Sequence, residues 1–249
     1  MHLKGSVSSN ATEVNLFANM ATGIETVGFD MAIKENIEKD VGVSLEQSQF
    51  IEAQTRGQSS SNIWFFERSK RVTASIFERV MNRREKIFPK SVIDSITKGR
   101  DGKKIYSASL QWGKEAVALE MYKNSYCKEL QVVESGLIIN PQWPWLGAST
   151  DGVLVTNGRA VGCIKIKSPF KKKDKTLLNA CKDKKFYMEM SHTGLPSLKK
   201  LHAYSYQCQG VMNILGLEWL DSIVYTEKDL HVQRIPCDKK VWREKCFQS

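Results

Sequence analysis

Apolar and polar positions divide the chain into a short lead and a long folded region. Residues 1–25 are rich in Ser, Asn, Thr and Gly and have no sustained hydrophobic period, which predicts a flexible lead. Residues 26–249 are predicted to form one domain. This domain starts with an amphipathic stretch at 30–56, helical in part, and a linker of sequence RGQSSSN at 56–62.

Three further helices are predicted within this domain. Ser75 is a candidate cap for the first, because Phe77 and Val80 lie on one face of the helix that would follow it. The second helix is expected over 108–122 and the third over 197–215. The candidate core positions of the second helix are Leu110, Val117 and Met121.

Strands are predicted mainly in the second half of the chain. Runs rich in apolar and β-branched residues near 130–139 and 152–156 predict two of them, and GCIKIKSPF at 162–170 predicts a third. WLDSIVYT at 219–226 and HVQRIPC at 231–237 alternate apolar and polar residues and predict the last two. This order of elements indicates an α/β or α+β fold, with a mixed central β-sheet flanked by helices.

The GCIKIKSPF strand carries two lysines on one of its faces. Side chains alternate along a strand, so Cys163, Lys165 and Lys167 point to one side. Ile164 and Ile166 point to the other side and form a good apolar surface. A strand that belongs to a core therefore also carries two ammonium groups, and these need an explanation.

The hairpin that leads into this strand decides which residue faces the lysines. TNGRA is a hairpin signal, because Asn and Gly both accept a positive φ. With a three-residue loop at 157–159, Thr156 pairs with Ala160. Counting outward, Asp151 then lies across from Lys165, with Cβ atoms about 5 Å apart. A two-residue loop shifts the pairing by one and removes this contact, and Asp151 in STDG is also typical of a turn residue.

Composition and charge narrow the class of protein. The 249 residues, with 41% hydrophobic content, are enough for one substantial core. There is no apolar run of about eighteen residues and no secretory leader, so we expect an intracellular protein without a membrane partner. Six scattered cysteines without a Cys-x-x-Cys pair predict reduced thiols rather than zinc. The net charge of +10 suggests a polyanionic partner such as nucleic acid, and an ordinary basic surface is an equal alternative.

Five motifs in a fixed order resemble a known family. LGASTDG, followed by the hairpin and GCIKIKSP, resembles the active-site hairpin of the lambda-exonuclease or YqaJ-type recombination nucleases. These are a branch of the PD-(D/E)xK superfamily, and their usual form is Gly-x-Ser-Pro-Asp-Gly followed by Glu-x-Lys-Cys-Pro. WFFERSKRVTAS, WGKEAVALEMY, YSYQCQG and WLDSIVYT resemble further motifs of that family. The resemblance covers about residues 50–245 and implies a restriction-endonuclease-like core.

The resemblance implies a metal-dependent hydrolytic site. Asp151 and Glu115 match the positions that hold Mg²⁺ or Mn²⁺, hard cations that prefer carboxylate oxygens. Such an ion polarises a phosphoryl oxygen and orients the attacking water. Lys167 matches the lysine that positions or activates this water, and Gln207 matches a glutamine that assists at the same site.

The resemblance also implies double-stranded DNA ends as the partner. Arg68 and Ser75 match the positions that contact the phosphate at a DNA end, where a guanidinium group can bind two oxygens. A lysine run beside the hairpin is either a solvated loop or a further contact with the DNA backbone. The candidate phosphate-binding residues of this run are Lys171, Lys172 and Lys173.

Lys165 is the main departure from the family pattern, because it stands where the family has the glutamate of Glu-x-Lys. An ammonium group supplies no oxygen ligand, repels a divalent ion and can pair with Asp151. We therefore expect metal binding and turnover to be weakened at this site.

The sequence leaves three functions open. The first is a DNA exonuclease of the recombination or repair type, which hydrolyses duplex ends with a metal ion in the nucleus or wherever its DNA is, and which Lys165 silences in part or in full. The second is a non-catalytic DNA-end-binding module that retains the nuclease fold. The third is an RNA-binding or structural basic protein in which Asp151 and Lys165 form only a salt bridge. Oligomeric state stays open.

Overall fold

A five-stranded mixed sheet forms the centre of the fold in the computed structural model. The structure describes residues 14–20, 39–82, 90, 94, 105–127, 129–240 and 242, with the backbone alone for 105–112. The described helices are α1 Leu45–Gln54, α2 Asn62–Ser69, α3 Phe77–Met81, α4 Ile105–Tyr126, α5 Leu177–Ala180 and α6 Ala203–Leu215. The described strands are β1 Val72–Thr73, β2 Gln131–Val133, β3 Leu137–Ile139, β4 Leu146–Ser149, β5 Gly152–Thr156, β6 Arg159–Lys167, β7 Met188–Met190, β8 Pro196–Leu198, β9 Trp219–Tyr225 and β10 Leu230–Pro236.

The sheet topology confirms the predicted fold class. The central sheet has the order β10-β9-β6-β5-β2, in which β6 and β9 are parallel and the other pairs are antiparallel. A three-stranded sheet, β1-β4-β3, lies beside it, and β7 pairs with β8. The predicted strand near 130–139 is therefore two strands, β2 and β3, which belong to different sheets.

Two helices cover the two faces of the central sheet. Ile164 and Ile166 of β6 share a core cluster with Ala118 and Tyr122 of α4. Cys163, on the opposite face of β6, shares a second cluster with residues of α6. The predicted alternation along β6 is therefore correct, and the lysine face is the face that α6 covers. Within the described residues, no helix is long and apolar enough to cross a membrane.

The hairpin loop has two residues rather than the predicted three. Asn157 and Gly158 take φ values of 49° and 71°, and Thr156 pairs with Arg159. The positive φ values were expected from the residue types, but they fit a two-residue turn, which matches the twist of the flanking strands.

A β-bulge then restores the register that the longer loop would have produced. Val155 pairs with Ala160 whereas Leu154 pairs with Gly162, so β6 has one extra residue at this point. Gly152 consequently pairs with Ile164. The loop prediction is wrong, but the predicted position of Asp151 across from Lys165 is correct.

The predicted core face of α4 is wrong by one residue. Val117 and Met121 are 47% and 43% exposed, whereas Ala118 and Tyr122 are fully buried. One residue on a helix turns the side chain by about 100°, so a small shift in phase moves a residue from the core to the surface. The side chain of Leu110 lies outside the described residues.

Two helix starts also differ from the predictions. Ser75 lies within a 3-10 turn, Ala74–Ile76, and does not cap α3. Helix α6 starts at Ala203, later than predicted, because His202 caps it through a hydrogen bond from the Tyr204 amide. The residues before this cap include strand β8.

Part of the predicted lead packs on the hairpin. Asn15 forms a β-bridge with Arg159, and Asn19 Nδ2 donates a hydrogen bond of 2.6 Å to the Ala160 carbonyl. Leu16 is buried. Residues 14–20 therefore belong to the fold, and the rest of the predicted lead lies outside the described residues, as does most of the stretch at 30–56 before α1.

Gly210 allows α6 to approach the 3-10 turn that carries Ser75. A Cβ atom at this position would lie 2.3 Å from Phe77 Cδ2 and 3.3 Å from Ala74 Cβ. We expect Gly210→Ala to lower the free energy of unfolding by about 1–3 kcal/mol, the usual cost of overpacking. Urea denaturation measures this change.

Gly113 provides a matched control for that substitution. It lies in α4, and among the described residues no atom outside its chain neighbours and helix backbone lies within 4 Å of the added Cβ position. Gly113→Ala is expected to raise stability by about 0.5–1 kcal/mol, because alanine favours a helix over glycine. Equal stability of the Gly210→Ala protein and the unaltered protein would show that this helix contact is not close.

Candidate active site

The open end of the β5–β6 hairpin joins Asp151 to Lys165. Lys165 Nζ lies 2.7 Å from Asp151 Oδ1, and the lysine and aspartate side chains are only 11% and 17% exposed. The contact follows from the register, because Asp151 and Lys165 are the next residues outward from the pair of Gly152 and Ile164. The pair predicted from the sequence is therefore a sheltered ion pair in the structure.

The second carboxylate oxygen of Asp151 is also bound within the protein. The Ile166 backbone N–H donates a hydrogen bond of 2.5 Å to Asp151 Oδ2. The Asp151 backbone N–H in turn donates to the Ile164 carbonyl at 3.0 Å. Both carboxylate oxygens therefore already accept a donor, one from an ammonium group and one from the chain.

Lys167 extends the positive charge of the same strand face. Its ammonium group lies 4.7 Å from the centroid of the Tyr204 ring of α6. Burial lowers the pKa of Lys167, and the nearby Lys165 ammonium group adds to this effect. On α6, burial raises the pKa of the Cys208 thiol to about 12, and Lys167 and Lys165 oppose this rise. Helix α6 therefore packs close to both lysines.

Gln207 is half-buried on α6, next to Cys208. Within the described part of the chain, its side chain has no hydrogen bond to Asp151, Lys165 or Lys167. The fold thus brings the helix of Gln207 to the site, and an assisting role for this glutamine stays a prediction.

Glu115 reaches the site from the opposite helix, α4. It lines a cleft of about 430 Å³ together with Asp151 and Ile166. Burial, and then the negative charge of Asp151, raise the pKa of Glu115 to about 7, while Lys167 and Lys165 act in the other direction. The carboxyl group that the sequence motif singled out is therefore near Asp151 and is readily protonated.

The raised pKa predicts that Glu115 makes stability fall with rising pH. Between about pH 4.5 and 7 the unfolded chain has lost the Glu115 proton and the folded chain still holds it. The unfolded state binds fewer protons, so the free energy of unfolding decreases across this interval. Glu115→Gln should remove that part of the decrease, as measured by urea denaturation at several pH values.

Glu120→Gln is the control for this pH dependence. Glu120 lies on the same helix, is 64% exposed and pairs with Lys123 at the surface. Its replacement is expected to leave the pH dependence of stability close to that of the unaltered protein. A Glu115→Gln protein with the same pH dependence as the unaltered protein would contradict the raised pKa.

Arg68 and Ser75 are in contact with each other, and their role in binding phosphate stays a prediction. Arg68 Nη2 lies 3.3 Å from Ser75 Oγ, and the guanidinium carbon lies 4.2 Å from the centroid of the Trp64 ring. Trp64 Nε1 donates a hydrogen bond of 3.1 Å to Ser149 Oγ, two residues before Asp151. A chain of side-chain contacts therefore links the guanidinium group to the segment that carries Asp151.

The sequence profile of the YqaJ-like viral recombinase domain matches residues 63–218, more than half of the chain. The chain belongs to this family. The YqaJ match contains all the residues placed at the site, which are Arg68, Ser75, Glu115, Asp151, Lys165, Lys167 and Gln207. No curated protein sequence matches the chain.

Solved structures show the same fold. LHK-Exo in complex with dAMP is 25% identical, with a TM-score of 0.53, over 73% of this chain and 85% of that chain. A second structure of this alkaline exonuclease from Laribacter hongkongensis is 24% identical, with a TM-score of 0.52, over 73% and 84%. The KSHV SOX RNA complex is 13% identical, with a TM-score of 0.52, over 82% and 73%. The YqaJ domain thus has an exonuclease fold, and its family indicates a nuclease of the recombination type.

Gln58 supports the site of the YqaJ domain and was missed by the sequence analysis. It lies in the predicted linker, has a φ of 46°, and lines the same cleft as Asp151. Its Nε2 donates to the carbonyls of Ser135 and Thr150 at 3.2 and 2.6 Å. No periodic pattern marks this residue, because its role comes from a loop that contacts the segment between β2 and β3 and the turn after β4.

The lysine run after β6 is only partly open to a ligand. Lys172 Nζ pairs with Asp183 at 2.5 Å, and Lys173 Nζ lies 3.9 Å from Asp174. Lys171 is exposed. An open cleft of about 760 Å³ adjoins the run, and the lysines that line it are Lys172, Lys175, Lys182 and Lys228. The basic surface of the YqaJ domain therefore extends beyond the three lysines of the sequence prediction.

Proposed function

We propose that this chain binds the ends of double-stranded DNA with the fold of a recombination exonuclease, and that the ion pair of Lys165 and Asp151 suppresses hydrolysis. The family and the fold support the first part. The ion pair, at 2.7 Å in a sheltered position, is the observation that carries the second part.

The side chains at the hairpin do not fit Mg²⁺ or Mn²⁺. These ions need several oxygen ligands, and Lys165 supplies none. Both oxygens of Asp151 already accept hydrogen bonds, and Glu115 is readily protonated near neutral pH. No group of three His, Cys, Asp or Glu side chains converges among the residues that the structure describes. We therefore propose that any metal binding here is weak.

Positive charge supports DNA as the partner. Arg68 and Ser75 form a donor pair that suits a phosphate oxygen, and the guanidinium group is held against Trp64. The lysine-lined cleft of 760 Å³ offers a second set of contacts to a phosphate backbone. In this proposal the duplex end lies at the hairpin, and the flanking duplex follows the basic surface.

Binding of end-labelled linear duplex tests the DNA part of the proposal. We expect retention on a filter at low salt without shortening of the strands, and an affinity that falls linearly with the logarithm of the salt concentration. Closed circular duplex should compete poorly. No affinity for linear duplex, or a preference for single-stranded RNA, would contradict this function.

Paired lysine variants locate the path of the duplex. Lys182→Gln with Lys228→Gln removes two lysines that line the basic cleft, whereas Lys39→Gln with Lys239→Gln removes two exposed lysines that line neither cleft. The first pair should reduce the salt slope by about 2, near one unit for each lost phosphate contact. The second pair should leave the slope unchanged.

A further inference from the structure

We propose that the Lys165 and Lys167 ammonium groups form a phosphate-binding site that holds a nucleic-acid strand without a metal ion. This inference rests on the proposed function, because it assigns a ligand to the same hairpin. It goes beyond the proposal that metal binding is weak, since it assigns Lys165 a function in binding a ligand.

The charge of the strand face favours an anion. Lys165, Lys167 and Asp151 together have two ammonium groups and one carboxylate, a formal charge of +1, which Glu115 of the facing helix reduces to 0 when it is ionised. A carboxylate at position 165 would change the charge of the first three groups to −1, which suits a divalent cation. Replacing an acid by lysine thus reverses the sign of the local field, and a phosphate group becomes the favoured ligand.

Both lysines have hydrogen-bonding capacity left for a ligand. An ammonium group has three donors, and Lys165 uses one of them on Asp151. Among the described residues, Lys165 Nζ has no second acceptor, and Lys167 Nζ has only the face of the Tyr204 ring. The two lysines are two residues apart on one strand, about 7 Å along the backbone, so their ammonium groups can converge on one phosphate.

The 430 Å³ cleft brings a strand next to this position, although the two lysines do not themselves line it. Its lining includes Asp151, the partner of Lys165, and Glu115, whose carboxyl group lies near both lysines. Arg68 is linked to the same segment through Trp64 and Ser149. A strand in the cleft would therefore place a phosphate where the Asp151 carboxylate now holds Lys165, and this carboxylate competes with the phosphate for the ammonium group.

Duplex binding with Mg²⁺ or with a chelator tests the inference in five proteins. The unaltered protein should bind equally well with Mg²⁺ and with chelator, apart from the general screening of charge by the ion. The Lys239→Gln variant, which changes an exposed lysine outside both clefts, measures this screening. Lys165→Gln should bind about tenfold more weakly in both conditions, since it loses charge-assisted hydrogen bonds. Asp151→Asn should bind more tightly, because it releases the ammonium group. Lys165→Glu should bind weakly with chelator, the condition in which it does not digest the duplex.

The sign of the Asp151→Asn effect separates ligand binding from a structural role. Circular dichroism and thermal unfolding establish that each variant is folded. Two results would overturn the inference: duplex binding by folded Asp151→Asn that is weaker than that of the unaltered protein, or duplex binding by the unaltered protein that needs Mg²⁺. In both cases the binding of duplex by the unaltered protein would still support the proposed function. If the unaltered protein did not bind duplex DNA at all, the proposed function itself would be refuted.

Inorganic phosphate distinguishes a nucleic-acid site from a free-phosphate site. A short phosphorylated duplex should displace the labelled DNA at a far lower concentration than inorganic phosphate does. Equal displacement on a molar basis would show that the two lysines bind free phosphate, and would overturn the assignment of a strand as the ligand.

Discussion

Lys165→Glu is expected to shorten linear duplex DNA in the presence of Mg²⁺, while the unaltered protein leaves the same DNA intact. The substitution removes the ammonium group that pairs with Asp151 Oδ1 and adds a carboxylate beside it, whose oxygens can bind a metal ion. A bound metal ion can stabilise transition-state charge by several kcal/mol, so the gain should exceed about a hundredfold. Denaturing gels of end-labelled duplex, with Mg²⁺ and with chelator, measure this gain.

Two further variants control for this gain. Lys165→Gln removes the ammonium group without adding a carboxylate and should stay inactive. The double variant Lys165→Glu with Asp151→Asn has one carboxylate fewer than Lys165→Glu and should also be inactive. Equal digestion by the unaltered protein and by Lys165→Glu would refute the silencing. A folded Lys165→Glu protein that digests nothing would refute the assignment of this hairpin as a hydrolytic site.

Asp221→Ala is expected to cause the largest loss of stability, about 3 kcal/mol, because it removes charge-assisted hydrogen bonds in a buried place. Asp221 lies on β9 beside β6 and its side chain is 3% exposed. It accepts a hydrogen bond of 2.7 Å from the Tyr122 hydroxyl and two of 2.9 Å from the Arg234 guanidinium group. The substitution leaves the buried Tyr122 hydroxyl without this acceptor.

Glu218→Ala is the matched control for Asp221→Ala. Glu218 is exposed just before β9, and its side chain should contribute less than about 0.5 kcal/mol, as is usual at the surface. Thermal and urea unfolding of both variants give the comparison. An Asp221→Ala protein as stable as Glu218→Ala would mean that this network does not support the strand that carries the lysines.

The hairpin illustrates what sequence reasoning can reach. The prediction of Asp151 across from Lys165 is correct, but it depended on a loop of three residues. The route was wrong, because the actual loop is shorter and a bulge adds the missing residue. A bulge is set by local twist and packing rather than by a residue pattern, so the sequence did not reveal it.

Other parts of the fold and the site depend on tertiary packing, which the order of residue types along the sequence does not reveal. Val117 and Met121 have the spacing of a core face, but neighbouring residues meet the sheet instead. Ser75 has the residue type of a helix cap, yet it contacts Arg68 and Thr73. Gln58 reaches the turn before Asp151 from a loop that composition identified only as a linker. In each case the tertiary contact, not the local preference, decides the role.

Isothermal titration calorimetry with Mg²⁺ tests most directly whether Lys165 occupies the position where the family binds its metal ion. We expect no measurable binding to the unaltered protein and a single site in Lys165→Glu, which Asp151→Asn abolishes in the same background. Binding of Mg²⁺ to the unaltered protein as tightly as to Lys165→Glu would show that Lys165 does not occupy the position of the metal.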